Sequence, residues 1–259
     1  NSKGIPFGKK VKIADLPISL YNSGHILGSS MVEINAGEKI LYTGDFKTQD
    51  SLIQKGAKPR NCDVLIVEST FGLPSFSFPE RTGVYEAMGS WIKEKSKTGF
   101  VVLAGYSLGK AQELTAICNK YANISPIVHD RVFDNNEVYR NLGVKLGPYH
   151  RLNHNLKESS VLIMPPTLVD HNLQQVLEYS LKKKVYSAFA TGWSFRSAYN
   201  QIFPLSDHSD FPQLLEYVKA CDPKIVFTVH GYEREFASYI TRRLGIPAKP
   251  LAQKGQKVL

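Results

Sequence analysis

The sequence predicts a mixed α/β protein, and three observations carry that reading. Asp63–Val67 and Lys224–Val229 are short, nearly unbroken apolar runs rich in β-branched residues, the pattern of parallel strands buried on both faces. Between them, strand-like and helix-like segments alternate, as in βαβ architecture. Finally, several strands end in a titratable residue, often beside a glycine, and ligands bind at the strand ends of parallel sheets.

Taken in order, residues 11–22 read as strands that stop in the loop Ser23-Gly24-His25-Ile26-Leu27-Gly28-Ser29-Ser30, where the glycines let backbone approach closely around His25. Met31–Asn35 and Lys39–Tyr42 form a hairpin turning at Gly37, and the second strand ends in Thr43-Gly44-Asp45-Phe46. The strand Asp63–Val67 ends in Glu68-Ser69-Thr70-Phe71-Gly72. Prolines 74 and 79 then break the chain.

A helix is expected over 80–97, with Val84, Met88, Trp91 and Ile92 on one face, then a strand over 100–104. The turn Gly105-Tyr106-Ser107-Leu108-Gly109-Lys110 is not a P-loop: its glycine spacing is short and Ala111 stands where Ser or Thr is required. It is either a turn that holds one phosphate at a helix N-terminus or a plain strand–helix turn. Further strands are expected at 124–129, 161–164 and 185–190, with helices at 135–142 and 173–182. Residues 144–158 read as irregular, with His150 and His154 as solvated loop residues.

The stretch Leu205–Gly231 reads as strand, loop, helix and strand, a βαβ unit with Asp210 as helix N-cap. His208 and His230 then both follow strand ends and can be spatial neighbours, the alternative being two surface-loop histidines. A helix over 234–244 and a strand near 248–251 close the chain.

Composition narrows the function. The 259 residues are 42% hydrophobic and 21% charged, a globular balance, and no apolar run reaches the roughly 18 residues of a membrane span. Three scattered cysteines without a C-x-x-C read as reduced thiols of a cytosolic protein and argue against a cysteine zinc knuckle. The excess of 32 basic over 23 acidic residues, net +9, suits a polyanionic partner such as nucleic acid. The chain opens Asn1-Ser2-Lys3-Gly4 with no methionine and no signal-peptide pattern, which reads as the middle of a longer protein. Together His25, Asp45, Glu68, His208 and His230 are the residue types that bind a borderline metal and move protons.

In order and spacing, the segments GHILGS (24–29), TGDF (43–46), ESTFG (68–72), SDHSD (206–210) and VHG (229–231) resemble motifs of the metallo-β-lactamase superfamily, and within it the β-CASP nucleases. FGLPSF, GYSLGKAQEL and TGWSFRSA are most similar to its exonuclease-like and RNA 3′-end-processing branch. The resemblance implies a partial αββα sandwich at 1–73 and 198–259, with a β-CASP α/β domain inserted at 74–197. It implies that His25 ligates one zinc ion, Asp45 bridges two and His230 ligates the second. His208, paired with Glu68, would act as proton donor or phosphate clamp, and Ser206, Lys110 and Arg196 would contact phosphate.

One departure matters: the family's upstream H-x-H-x-D-H motif is missing, since the first histidine here is His25. A tightly bound zinc pair is therefore not expected in this chain, which alone is expected to be inactive. Completion would come from an N-terminal segment or subunit; a homodimer is the other assembly considered. The implied activity is zinc-dependent hydrolysis of phosphodiester bonds in RNA or single-stranded DNA. The alternatives are a non-catalytic β-CASP subunit that binds nucleic acid or a partner and, third, a small-molecule hydrolase. His230 resembles the RNA-processing members, whereas the GLP segment resembles the DNA-linked branch.

Overall fold

The structure, a computed structural model, describes residues 4–153, 156–193 and 199–251. It contains two compact units: residues 1–50, 55–77 and 208–259 form the first, and residues 51–54 and 78–207 the second.

The chain begins in the first unit with β1 (Lys10–Ile13), β2 (Leu16–Asn22), β3 (Ser30–Asn35) and β4 (Lys39–Tyr42), an antiparallel meander, followed by β5 (Val64–Ser69), parallel to β4. Ala14 and Asp15, both at positive φ, make the tight turn that splits 11–22 into two strands.

The second unit follows with α1 (Arg81–Thr98), β6 (Gly99–Ala104), α2 (Lys110–Ile117), β7 (Ile127–Val128), α3 (Asp130–Asn141), β8 (His150–Arg151), β9 (Val161–Met164), α4 (His171–Leu181), β10 (Lys184–Thr191) and β11 (Gln201–Pro204). Helix α3 starts earlier than the sequence suggests, because His129 caps it through Nδ1 to the Arg131 N–H. The chain then returns to the first unit as α5 (Phe211–Cys221), β12 (Ile225–Gly231), α6 (Glu233–Leu244) and β13 (Ala248–Pro250).

The first unit is built on a seven-stranded sheet of order β1-β2-β3-β4-β5-β12-β13. On one face Met31, Leu41, Leu65, Val67 and Val226 pack beneath Phe211, Leu214, Val218, Phe236 and Ile240 of α5 and α6, with Cys62 and Cys221 in the same core. Strand register places Ile18, Leu20, Val32, Ile34, Ile40, Tyr42, Val64, Ile66, Ile225 and Phe227 together on the opposite face. All of these are apolar, yet none is buried and none belongs to a buried core cluster among the described residues. Among the described residues the sheet is thus covered by helices on one side only.

The second unit has a six-stranded parallel sheet of order β11-β10-β6-β9-β7-β8 with helices on both faces. Alternate residues of β6 feed opposite cores. Val101 and Leu103 join residues of α1, α2 and Val132 of α3, whereas Phe100 and Val102 join Leu177 of α4. A buried polar network links α1, α2 and the segment after β11. Arg81 Nη2 donates to Glu113 Oε2 at 2.6 Å, Arg81 Nη1 donates to the Ser206 carbonyl at 2.8 Å, and Lys110 Nζ donates to Asp207 at 2.8 Å.

One sequence expectation is corrected by the topology. Strand β11 lies in the six-stranded sheet and β12 in the seven-stranded one, so Leu205–Gly231 is not a βαβ unit. Helix α5 nevertheless begins as expected, with the Asp210 carboxylate accepting the Gln213 N–H at 3.1 Å. No helix among the described residues is long and apolar enough to cross a membrane.

Adjacent residues of β3 should report the one-sided packing in denaturant titrations. Met31→Ala should lose roughly 2–5 kcal/mol, and Val32→Ala, on the open face, less than about 1 kcal/mol. Glu113→Ala leaves Arg81 and Lys110 with one carboxylate between them and should lose about 3–5 kcal/mol by the same measurement.

Candidate metal and proton-transfer site

The site lies in the first unit, where loops leaving β2, β4 and β5 meet the loop that enters α5. His25 is fixed by its own loop. Ser29 Oγ accepts the Ile26 N–H at 3.1 Å, and the Gly24 N–H bonds Asn22 Oδ1 at 3.0 Å. Gly24 has φ +72°, and a Cβ there would sit 2.4 Å from the Lys47 carbonyl oxygen, so glycine is required. Asp45 follows the turn at Gly44, also at positive φ, and its Oδ2 lies 4.0 Å from His25 Nε2.

Glu68, at the end of β5, is 1% exposed. Its Oε1 accepts the Phe46 N–H at 2.9 Å and lies 2.8 Å from His208 Nδ1, while its Oε2 accepts the Thr70 N–H at 3.1 Å. Burial pushes this carboxyl up, but the hydrogen bond and charge of His208, together with the Phe46 N–H, outweigh burial and hold it below the ordinary carboxylate range. Glu68 engages Nδ1 and so fixes the tautomer and orientation of the His208 ring. Ser209 secures the loop, its N–H donating to the Phe46 carbonyl at 3.0 Å and its Oγ accepting the Thr48 N–H at 3.1 Å.

His25, Asp45 and His208 form one cluster, each offering a ligand atom within 4.8 Å of the others, and the two imidazole centroids are 4.7 Å apart. Two imidazoles and a carboxylate are a donor set that suits zinc.

His230 is not in that cluster. It is exposed and sits at the β12 bulge with φ +57°, a left-handed conformation uncommon for a non-glycine residue. Glu233 Oε1 accepts its N–H at 2.8 Å, and Ser69 Oγ donates to its carbonyl at 2.8 Å, so neighbouring side chains hold the strained backbone.

The expected phosphate contacts fare differently. Lys110 is 1% exposed and ion-paired with Asp207, so its ammonium is a structural cation rather than one offered to a substrate. Ser206 is 5% exposed, with its carbonyl accepting from Arg81. Arg196 lies outside the described residues. Sequence reasoning missed Phe46, Ser209 and Glu233. The first acts through its backbone and the second only through tertiary contact; Glu233, three residues after His230, left a local spacing signal.

Comparison with known proteins bears on this arrangement. A family described as the Zn-dependent metallo-hydrolase RNA specificity domain matches residues 199–249. A protein of Opitutus terrae named "Probable DNA ligase" is 32% identical over 97% of this chain and 25% of its own length. "RNase aCSPSF2" of Saccharolobus solfataricus is 26% identical over 95% of this chain and 59% of its own length. "Cleavage and polyadenylation specificity factor subunit 3" of Dictyostelium discoideum is 34% identical over 48% of this chain and 16% of its own length. The chain belongs to the β-CASP group of the metallo-β-lactamase superfamily. It spans only 25% and 59% of the first two relatives.

In this β-CASP chain Glu68 is the residue on which the site's geometry turns. Glu68→Ala orphans two buried N–H donors and should lose roughly 2–5 kcal/mol. The carboxyl titrates below its unfolded value, so its contribution is fully present above pH ~4.3 and is lost as pH falls through the lower folded value. Glu68→Gln should therefore flatten the acid limb of a stability–pH profile measured by denaturant melts.

Proposed function

We propose that this chain belongs to a zinc-dependent nuclease that hydrolyses phosphodiester bonds of RNA or DNA, with exonuclease-like action. The observation that carries the reading is the pairing of a buried, ionised Glu68 with His208 beside His25 and Asp45. His25 and Asp45 would hold zinc, and His230 would serve a second ion in the complete protein. When bound, zinc would supply charge stabilisation at the phosphate and a more acidic water. His208 would handle the proton: Glu68 fixes its tautomer and orientation, and its ring lies beside His25 and Asp45, where a leaving oxygen would need a proton. The relatives named as RNases, the zinc-dependent RNA specificity family and the net charge of +9 support a nucleic-acid substrate.

The absence of an H-x-H-x-D-H motif from the sequence favours a second reading for the chain in isolation, a nucleic-acid-binding subunit without cleavage. The two are separated by assaying the longer protein that carries this chain, with zinc, on labelled RNA and single-stranded DNA. His208→Ala should slow cleavage by about 10²–10⁴-fold when assayed well below its melting temperature, which should drop because the buried Glu68 carboxylate loses its ring partner. Undiminished cleavage by the variant would remove His208 from the chemistry, and binding without cleavage by the parent would establish the second reading.

A further inference from the structure

A row of aromatic rings leads away from His208 within the first unit. The His208 ring centroid lies 6.1 Å from Phe71, Phe71 lies 4.9 Å from Phe76, and Phe76 lies 5.6 Å from Tyr232, all within the range of favourable aromatic pairs. The members differ in exposure. Phe71 is buried at 1%, whereas Phe76 and Tyr232 are half-buried, so the row starts in the core and ends with two partly exposed rings.

Backbone contacts hold these rings in place. The Phe76 N–H bonds the Leu73 carbonyl at 3.0 Å, the Phe76 carbonyl accepts the Phe211 N–H at 3.0 Å, and the Tyr232 N–H bonds the Ser69 carbonyl at 2.9 Å. Gly72 lets the segment close down on α6, because a Cβ there would lie 2.8 Å from Phe236 Cβ. Tyr232 opens α6 two residues after His230, and Ser69 follows Glu68, so the partly exposed rings are tied through backbone to the segments that carry the site.

We infer that Phe76 and Tyr232 form a stacking subsite for a nucleobase flanking the phosphate at His208, and that they give the chain a grip on single-stranded nucleic acid independent of base identity. The inference rests on the nucleic-acid reading above. Its chemistry is that of single-strand recognition in general: every base has a π-face, so a fixed aromatic platform binds any of them, whereas phosphate contacts alone cannot tell a base from an abasic sugar. A half-buried ring already held by neighbours loses little conformational entropy on binding.

The test is fluorescence anisotropy with a labelled single-stranded oligonucleotide and a set of copies in which one position at a time is abasic. Tyr232→Ala should weaken binding about 5- to 150-fold, and Tyr232→Phe, which keeps the ring, should stay within about twofold of the parent. One abasic position should weaken the parent but not Tyr232→Ala, a coupling that loss of packing alone would not produce. If the parent binds and Tyr232→Ala binds equally well, the stacking subsite is wrong and the nuclease reading stands. If Tyr232→Ala binds more weakly but every abasic position weakens both proteins alike, the ring supports the fold and not a base, which also overturns the subsite. If the parent binds no oligonucleotide, the subsite and the nucleic-acid reading fall together.

Discussion

The contact on which the site depends is the buried carboxylate of Glu68. Three donors converge on it from three segments: the Phe46 N–H after β4, the Thr70 N–H after β5, and the His208 ring ahead of α5. A carboxylate removed from water is stable only when its lone pairs are met, so these segments hold one another in register. Its fixed negative charge also decides which nitrogen of His208 faces inward. The same interaction therefore ties three segments of the fold to the orientation of one imidazole.

Around that anchor the first unit shows an asymmetry. One face of its sheet is packed by α5 and α6, while the other carries a continuous apolar layer without a covering element among the described residues. The second unit has no such imbalance, since alternate residues of β6 enter two separate cores.

The charged residues of the chain divide by environment rather than by type. Lys110, Arg81, Glu113 and Asp207 are buried and satisfy one another inside the second unit, so they contribute to its stability and specificity rather than to ligand binding. His25 and His208 are partly exposed and Asp45 is exposed, with ligand atoms close together, a donor set that suits a metal ion. His230 is the intermediate case, an exposed side chain on a strained backbone that Glu233 and Ser69 hold in place.

The sequence by itself determined the α/β class, most strand and helix positions, and the occurrence of titratable residues near several strand ends. Hydrophobic periodicity, glycine placement and capping are local signals, written in residues a few positions apart. It also marked His208 and Glu68 as a pair, through the family resemblance rather than through spacing. Only the tertiary structure decided that β11 and β12 belong to different sheets, that Lys110 is a buried ion-pair partner, and that His208 rather than His230 joins His25 and Asp45. The reason is physical. Strand partnership, desolvation and the meeting of loops depend on residues distant in the chain, and Ser206-Asp207-His208 looks the same in sequence whichever sheet it leaves.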